Sequence, residues 1–558
     1  MLCPFTTLYE DDLITTINSI YKEHGEKASP DTEELYLSTT GFLQWATNLA
    51  TSRPVLLLRC IMATGHDLQY NLLYPVDSDY LNKLTKYCQP EVDKTIVRYV
   101  NRLCRSRGVS SNRIFPQEIL MTSSDRSDPG LLPLFSVPIE YLRLRFAFLQ
   151  VINTSVSKYL LPAVSLSTVD LAPHSIGSVL LRGRDFLFYD VKLGYLNFVI
   201  NSTDRRSGDS VPPEIIFDPL TFVHQAEREI ENTITMLAKQ QLSRTPSSEL
   251  CVKLAAGGDP IFPFNVKLTG ENVAGTSGSF RYFIWLVAQE LQSSSLPVLI
   301  ECPSASAGEN KGKFLLAPKN IDYHDEALLL FFGNLLGVAM RSDVPFAVDC
   351  LRPFWTRILG ERIDFDSDLR QSDIITYNFL KGLKSLSTET EFKELVVKTC
   401  PTHFSNEECC PGCPYKFSYA SLDGRDVELR AGSPVITWAN LNQFIECTSE
   451  LRSDELSAEN MIPLIQCGLE AVVPLEPLRL MGPDDLQLRV CGQQNIDIGF
   501  IKLHTIYQVG ISQSDKHIEY FWNVVESLSQ EDLRKLIKFA CNQERIPFSC
   551  PCQVNFKT

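Results

Sequence analysis

Apolar residues recur at helical spacing in several long stretches of the chain. The segment from Ile139 to Val156, IEYLRLRFAFLQVINTSV, predicts a strongly apolar helix. The run from Ala327 to Met340, ALLLFFGNLLGVAM, is hydrophobic nearly all round, which is typical of a helix buried at the centre of a lobe. Gly333 and Gly337 lie one turn apart in this run. They predict a place where another element packs closely against the helix.

Two further helices are predicted close to the C-terminus. Ser529 and Asp532 have the spacing of a capping box between them, and Pro547 prevents continuation of the second helix. The first helix has its apolar face at Ile518, Phe521, Trp522, Val525 and Leu528, and the second at Leu533, Leu536, Ile537 and Ala540.

Other segments predict strands and linkers. Residues 178–203, SVLLRGRDFLFYDVKLGYLNFVINST, are rich in aromatic and branched residues and predict strands. A strand-like piece near Val266 is expected to lead into a helix from about Ser279, and residues 243–249, SRTPSSE, predict a linker. Asp218 and Pro219 predict the start of a long helix between these segments. Its apolar stripe comprises Val223, Ala226, Ile230, Ile234 and Leu237.

The overall pattern predicts an α+β protein that is mostly helical and has several subdomains. At 558 residues the chain is too long for a single hydrophobic core. No fixed-period repeat is present, and amphipathic helical stretches continue to about Leu120. Residues 121–130, MTSSDRSDPG, are polar and contain a Pro-Gly turn, so they predict a boundary.

Composition and charge narrow the class of protein. Hydrophobic residues make up 44% and charged residues 21%, which is ordinary globular composition. The net charge of −15 argues against a nucleic-acid partner. The start of the chain, MLCPFTTLYEDDL, is not a secretory signal, and the most apolar run is too short to span a bilayer. We therefore expect no membrane span, a cytoplasmic or nuclear location, and 17 reduced cysteines rather than a disulfide framework.

One cluster of cysteines has the spacing of a metal site. Cys400 and His403 are spaced C-x-x-H, and Cys410 and Cys413 are spaced C-x-x-C. Together they offer four ligands of the kind that tetrahedral zinc prefers. Only six residues separate the two pairs, which is short for a zinc finger, although Cys409 offers a substitute ligand. The alternative is a polar loop that holds several reduced thiols. No other cofactor is expected, since the glycine-rich stretch from Gly270 to Ser277 lacks the lysine of a phosphate-binding loop.

Cys550 and Cys552 are the cysteines nearest the end of the chain. A catalytic cysteine needs a nearby base, cation or helix N-terminus to favour its thiolate. The surrounding sequence, SCPCQVNFKT, contains no His or Asp and only one cation, Lys557. We therefore assign no catalytic residue from the sequence.

A distributed series of motifs, in order along the chain, carries a family resemblance. The first two segments are VKLTGENVAGTSGSFRYFIWLVAQEL and LLFFGNLLGVAMRSDVPFAVDCLRPFWTRILG. A T-W-x-N pattern follows at Thr437, Trp438 and Asn440. The last two segments are IQCGLEAVVPLEPLRLMGPDDLQLRVCGQQNIDIGFIKLHTIYQVG and IEYFWNVVESLSQEDLRKLIKFACNQERIP. From about Ile139 the sequence resembles the HECT-type E3 ubiquitin-protein ligases, above all the very large members, although the usual paired glycines and acidic residue of the first segment are altered.

The resemblance implies a bilobed domain. A helical region at 1–138 and a pre-HECT region at 139–249, with a strand-rich piece and a long helix, would precede an N-lobe at 250–492. The part of the N-lobe that docks the conjugating enzyme would lie at about 375–445, so zinc there would be structural. A hinge at 493–495 and a partial C-lobe at 496–558 would follow.

The resemblance also implies a reaction and partners. A conjugating enzyme would deliver ubiquitin to a C-lobe cysteine as a thioester, and the ubiquitin would then pass to lysines of protein substrates. The family nucleophile lies in a T-C-[FM] motif several tens of residues beyond the R-x-P at Arg545 to Pro547, and this chain has eleven residues after Pro547. We therefore expect an incomplete C-lobe that ends before the nucleophile and leaves Leu503, Phe521, Trp522, Leu536 and Phe539 half-covered. The alternative is a catalytically inactive module that binds a conjugating enzyme as a scaffold.

Overall fold

The computed structural model of the chain describes most of its length beyond residue 89. The described residues are 90–123, 125–166, 175–205, 211–219, 233–253, 261–270, 276–308, 310–319, 321–400, 415–432, 435–503, 505–507, 511–547 and 555–556.

Helices dominate the described residues, as predicted. The first seven are α1 (Pro90–Arg107), α2 (Ile139–Ser155), α3 (Ile176–Arg182), α4 (Tyr189–Ser202), α5 (Ile234–Gln241), α6 (Ser247–Leu250) and α7 (Thr276–Leu291). The next six are α8 (Tyr323–Ser342), α9 (Arg352–Ile358), α10 (Phe365–Ser372), α11 (Ile374–Lys384), α12 (Glu389–Thr399) and α13 (Leu441–Ser457). The last six are α14 (Ile462–Glu470), α15 (Leu475–Leu478), α16 (Pro483–Cys491), α17 (Ile498–Leu503), α18 (Lys516–Ser527) and α19 (Gln530–Cys541).

The strands of the described residues form small two-stranded sheets. The pairs β1–β2 and β7–β8 are parallel, whereas β3–β4 and β5–β6 are antiparallel. The strands are β1 (Glu214–Phe217), β2 (Asn265–Leu268), β3 (Leu299–Glu301), β4 (Phe314–Leu316), β5 (Ser418–Ala420), β6 (Asp426–Glu428), β7 (Ile506–Tyr507) and β8 (Asn555–Phe556).

Buried apolar side chains fall into four clusters. The N-terminal core takes residues between Ile96 and Val191, together with Leu480. The central core takes residues between Tyr189 and Cys491 and surrounds α8. The peripheral core lies between Cys302 and Leu456, and the C-terminal core between Ile496 and Ile546. The described residues thus form an α+β, mostly helical assembly of several units, as predicted.

Helix α8 lies in the middle of the central core, and two of its glycines allow close contact with the segment that contains α14. A Cβ atom added at Gly333 would lie 2.0 Å from the carbonyl oxygen of Ile465 on α14. One added at Gly337 would lie 2.7 Å from Val472 Cβ. Side chains at these positions are sterically excluded, which confirms the close approach predicted from the glycine spacing.

Buried polar contacts join the N-terminal segments to the central core. Lys192 Nζ donates to Asp485 at 2.8 Å, and Arg184 Nη2 donates to Glu361 at 2.8 Å. Arg341, 1% exposed, donates to the carbonyls of Val472, Ile200 and Val252 at 2.7–2.9 Å. A buried guanidinium that satisfies three separate segments fixes their relative positions.

The predicted strands at 178–203 are wrong. Most of this segment is helical, in α3 and α4. Ser175 caps α3 by accepting from the Ser178 amide, and α4 buries Tyr189, Lys192, Leu196 and Ile200 at spacings of three and four. Strand propensity of aromatic and branched residues is therefore overridden by burial of one helical face.

The predicted long helix after Pro219 also needs correction. Thr233 is extended and caps a separate helix, α5, by accepting from the Met236 amide. Ile234 and Leu237 therefore belong to this shorter helix, while residues 220–232 lie outside the described part. The segment at 243–249, predicted as a linker, leads into α6, whose Leu250 is buried in the central core.

The other helix predictions are confirmed. Helix α2 spans the apolar run from Ile139, and α7 includes the expected start near Ser279. The predicted apolar faces of α18 and α19 pack in the C-terminal core, except for Ala540, which is exposed. Ser529 caps α19 by accepting from the Asp532 amide at 3.1 Å. Within the described residues, no helix has both the length and the apolarity to cross a bilayer.

Candidate functional site

A small unit around the peripheral core is locked by buried charges. Arg452 on α13 donates to Asp373 at 3.0 Å, to Glu455 at 2.5 Å and to the Ala420 carbonyl at 2.7 Å. Asp373 also caps α11 by accepting from the Thr376 amide at 2.9 Å. Each carboxylate and the guanidinium is almost fully buried. The network therefore ties α11, α13 and the β5–β6 hairpin into one rigid unit.

Aromatic packing completes the same unit. Phe379 on α11 lies 6.0 Å from Tyr419 and 6.3 Å from Phe444, measured between ring centroids. The two apolar side chains Ile375, on α11, and Val397, on α12, remain about half exposed at 54% and 47%. The unit thus combines a rigid interior with exposed apolar side chains on two of its helices.

The predicted zinc ligands fall mostly outside the described residues. Cys400 lies immediately after α12, is fully buried, and belongs to the peripheral core. His403, Cys410 and Cys413, with Cys409, lie in 401–414, which the structure does not describe. The described residues contain no group of three or more potential metal ligands. The zinc site stays a prediction.

A short connection leads from the central core to the C-terminal core. Gly492 has φ of +70°, and an added Cβ would lie 2.7 Å from the Ile546 carbonyl oxygen. The next residue, Gln493, donates its amide to that same carbonyl at 2.9 Å. The connection and the end of the C-terminal core are therefore held side by side.

Charged side chains reinforce the contact between this connection and the C-terminal core. Asp349, in the loop after α8, accepts from Arg545 at 2.6 Å and from Lys313 at 2.8 Å. Burial alone would raise the pKa of Asp349. The attraction of Arg545 and the hydrogen bonds from Lys313 and Arg545 outweigh that effect, so the pKa lies below its ordinary value. Asp349 is therefore ionised at neutral pH and attracts both cations.

A second set of contacts lies between α7 and the C-terminal core. The ammonium of Lys538 on α19 is 3.5 Å from the centroid of the Trp285 ring, a cation–π contact. Asn542, which follows α19, donates to the Gly278 carbonyl at 3.4 Å. We call the contacts of Asp349, Lys313, Arg545, Lys538 and Trp285 the junction.

Three of the described cysteines, Cys104, Cys350 and Cys491, are poor nucleophiles. Burial raises the pKa of Cys104 and of Cys491 to about 12 in each case, and raises that of Cys350 well above its usual value. Their thiolates are therefore scarce at neutral pH. Cys550 and Cys552 lie outside the described residues, and no catalytic residue is assigned.

Sequence reasoning did not find the junction or the Arg452 network. Asp349 is an isolated carboxylate among apolar residues in PFAVDCLRPF, and this is a sequence signal for a buried charge with a partner. Its partner Arg545 is 196 residues away, and Arg452 is 79 residues from Asp373. Pairings over such separations depend on the tertiary structure.

The expected half-covered side chains separate into two groups. Trp522 is buried at 4% exposure, and Phe521 and Leu536 pack partly against the C-terminal core. Leu503 and Phe539 are exposed at 60% and 89%. The C-terminal core therefore covers three of the five and leaves two in solvent.

Comparisons with known proteins agree with the resemblance seen in the sequence. Residues 285–557 match the family model described as HECT-domain (ubiquitin-transferase). The human "Probable E3 ubiquitin-protein ligase HECTD4" is 41% identical over 527 residues, which are 93% of this chain and 13% of that protein. Human E3 ubiquitin-protein ligase HERC2 is 25% identical over 432 residues, 74% of this chain and 8% of that protein.

A third relative is covered over a larger share of its own length. Chicken E3 ubiquitin-protein ligase HACE1 is 22% identical over 323 residues, 57% of this chain and 31% of that protein. The chain thus spans less than a third of the length of each of these relatives. The matched region includes the peripheral unit, the junction and the C-terminal core. Residues 285–557 are therefore a HECT domain, and the chain belongs to the HECT family.

Proposed function

We propose that the protein to which this chain belongs is a ubiquitin-protein transferase of the HECT class. The observation that carries the proposal is the family match over 285–557, which includes both the peripheral unit and the C-terminal core. Two of the relatives described above are named E3 ubiquitin-protein ligases, and the third is named a probable one. The partners would be a ubiquitin-conjugating enzyme, ubiquitin and protein substrates.

The peripheral unit is the proposed docking part for the conjugating enzyme, at about 375–445 within an N-lobe at 250–492. Its buried Arg452–Asp373 pair keeps the backbone rigid, so docking would not have to order the unit first. Ile375 on α11 and Val397 on α12 offer apolar contact area, and the two helices follow each other along the chain. Exposed apolar side chains on a rigid support are what a transient protein partner uses.

The C-terminal core is the proposed C-lobe, 496–558, with the hinge at 493–495. The chain enters it from the central core through Gly492 and Gln493. The described contacts across the junction are mainly polar and charged. Separation of the Asp349–Arg545 pair would cost about 1–3 kcal/mol, which is a small part of the free energy of folding. A lobe that visits two partners in turn requires this kind of attachment.

The proposed chemistry is a pair of acyl transfers. A cysteine thiolate of the protein attacks the thioester carbonyl that joins ubiquitin to the conjugating enzyme, and the thiolate of that enzyme leaves. A substrate lysine amine then attacks the new thioester, the cysteine thiolate leaves, and the amine loses a proton as the isopeptide bond forms. The nucleophilic cysteine is not assigned to a residue of this chain.

A thioester assay tests the proposal. The protein translated from its complete message is mixed with a panel of conjugating enzymes loaded with ubiquitin, and gels are run with and without reductant. A reductant-sensitive ubiquitin adduct is expected. Folded protein that never forms the adduct with any loaded enzyme, while a known HECT ligase does so in parallel, would overturn the proposal.

The alternative of a non-catalytic binding module makes a different prediction. The present chain would then bind a conjugating enzyme without forming an adduct, and mature message would carry an in-frame stop after Thr558. Titration of the chain with unloaded conjugating enzyme, alongside the Ile375→Ser variant, measures that binding directly. Loss of binding in the variant assigns the surface, and continued coding past Thr558 argues against the alternative.

A further inference from the structure

The N-terminal core carries a pocket outside the part matched by the family model. The pocket has a volume of about 330 Å³ and is lined by Leu120, Met121, Leu134, Phe135, Leu142 and Arg143, among others. Leu134 and Leu142 are each 1% exposed and form part of its wall, whereas Leu120 is 57% exposed. This volume is at the low end of the ~300–1,000 Å³ typical of ligand pockets. It suits a few apolar side chains of a protein partner.

One arginine, Arg143, lines this pocket, and a second, Arg126, packs against Phe135 of its wall. The Arg126 guanidinium is 5.2 Å from the centroid of the Phe135 ring. Arg143 donates to the carbonyls of Ile119 and Gln117 at 3.4 and 3.3 Å. Neither guanidinium forms an ion pair with a carboxylate whose side chain the structure describes.

The charge balance of the surrounding segment adds to this observation. Residues 90–143 contain eight basic and six acidic residues, a net charge of +2 in a chain of −15. Apart from Glu140, whose side chain is not described, every carboxylate of the segment is paired with a cation. The pairs are Glu91–Lys94, Asp93–Arg145, Glu118–Arg107, Asp125–Arg102 and Asp128–Arg102.

We propose that this pocket docks an acidic, apolar segment of a partner protein. Its leucine or phenylalanine side chains would fill the pocket between Leu120 and Leu142. Its carboxylates would pair with Arg126 and Arg143, whose planar guanidiniums suit bidentate contact with carboxylates. The surface lies outside the HECT-domain match and does not depend on ubiquitin transfer.

The test uses fluorescein-labelled twelve-residue peptides and the whole chain. In the first peptide, two leucines and a phenylalanine are separated by glutamates; lysines replace the glutamates in the second, and serines replace the apolar residues in the third. Fluorescence anisotropy measures the binding of each peptide. Only the glutamate peptide with apolar residues is expected to bind, and salt at about 0.5 M should weaken that binding because it screens exposed charges.

Variants assign the binding to the pocket. Arg126→Gln and Leu120→Ser should each weaken binding by about tenfold, and Arg126→Gln with Arg143→Gln by more. The controls are Arg362→Gln and Phe198→Ser, which change an exposed arginine and an exposed phenylalanine elsewhere. Thermal unfolding of each variant verifies its fold.

Three results would overturn the proposal. The first is no binding of the glutamate peptide to folded chain. The second is equal binding of the glutamate and lysine peptides, which would mean an apolar surface without charge selectivity. The third is binding that the controls weaken as much as the pocket variants do, which would place the peptide elsewhere.

Discussion

Gly333 on α8 and Gly468 on α14 face each other where the two helices pack in close contact. A Cβ atom on Gly468 would lie 2.0 Å from the carbonyl oxygen of Leu330, one helical turn from Gly333. A Cβ on Gly333 would lie 3.0 Å from the Gly468 Cα. The two helices thus meet backbone to backbone, and the central core is built around that meeting.

Alanine at Gly468 is expected to destabilise the protein strongly. The methyl group would collide with backbone atoms that cannot move without separating α8 from α14, so a loss of roughly 3 kcal/mol or more is expected. Urea unfolding followed by circular dichroism measures it. The matched control is Gly382→Ala on α11, where an added Cβ meets nothing within 4 Å. That change should be neutral or stabilise by about 0.5–1 kcal/mol, and equal losses in both variants would refute the steric account.

Substitution of Arg545 by Met is expected to loosen the junction. Asp349 would keep Lys313 but lose its contact with Arg545, at a cost of about 1–3 kcal/mol. Hydrogen exchange in residues 496–546 should rise by about tenfold or more, while α8 stays protected. The control is Lys535→Met on α19, whose exposed ammonium pairs only with Glu531 and Asp532. Unchanged exchange in the Arg545 variant would contradict the role of the pair.

The junction is expected to weaken in acid. Asp349 has a pKa below its ordinary value of 3.8 in the folded protein, so its ionised form is favoured by folding. Its contribution is complete above the ordinary pKa and is lost as the pH falls through the lower, folded value. Exchange in residues 496–546 should therefore increase below about pH 4 in the natural chain. Asp349→Asn should show faster exchange at pH 6 and a smaller change on acidification.

A fragment that begins at residue 285, where the family match starts, is expected not to fold stably. It would lack Ile215, Phe264, Phe280, Phe283 and Ile284, all of which are fully buried in the central core. Burial of each such side chain contributes ~1.5–3 kcal/mol. The near-ultraviolet circular dichroism and the melting transition of the fragment, compared with those of the whole chain, measure this. A cooperative transition in the fragment at the same temperature would show that the earlier segments are dispensable.

Zinc bound at Cys400, His403, Cys410 and Cys413 remains a specific prediction. Protein purified without chelator should contain about one zinc per chain by elemental analysis, and Cys410→Ser with Cys413→Ser should lose it. Removal of the metal should destabilise the peripheral unit, because Cys400 is buried in its core. The control is Cys467→Ser, an exposed cysteine on α14. Metal-free folded protein would instead support the alternative of a polar loop with reduced thiols.

Local signals in the sequence were sufficient for several elements. The continuous apolar run of α8, the apolar periodicity of α18 and α19, and the cap at Ser529 involve residues that are close in sequence. Such short spacings depend on the geometry of the helix itself, which is the same in any fold. The ordered series of motifs also identified the family.

The tertiary structure alone decided the other features. Residues 178–203 have strand propensity, yet α4 forms because its helical face enters the cores on either side. Asp349 finds Arg545, and Asp373 finds Arg452, across 196 and 79 residues. No local pattern specifies such pairs, since they depend on how the chain closes upon itself. The sequence thus determined where several of the helices lie and to which family the chain belongs, whereas packing decided which charges meet and where the C-terminal core contacts the central core.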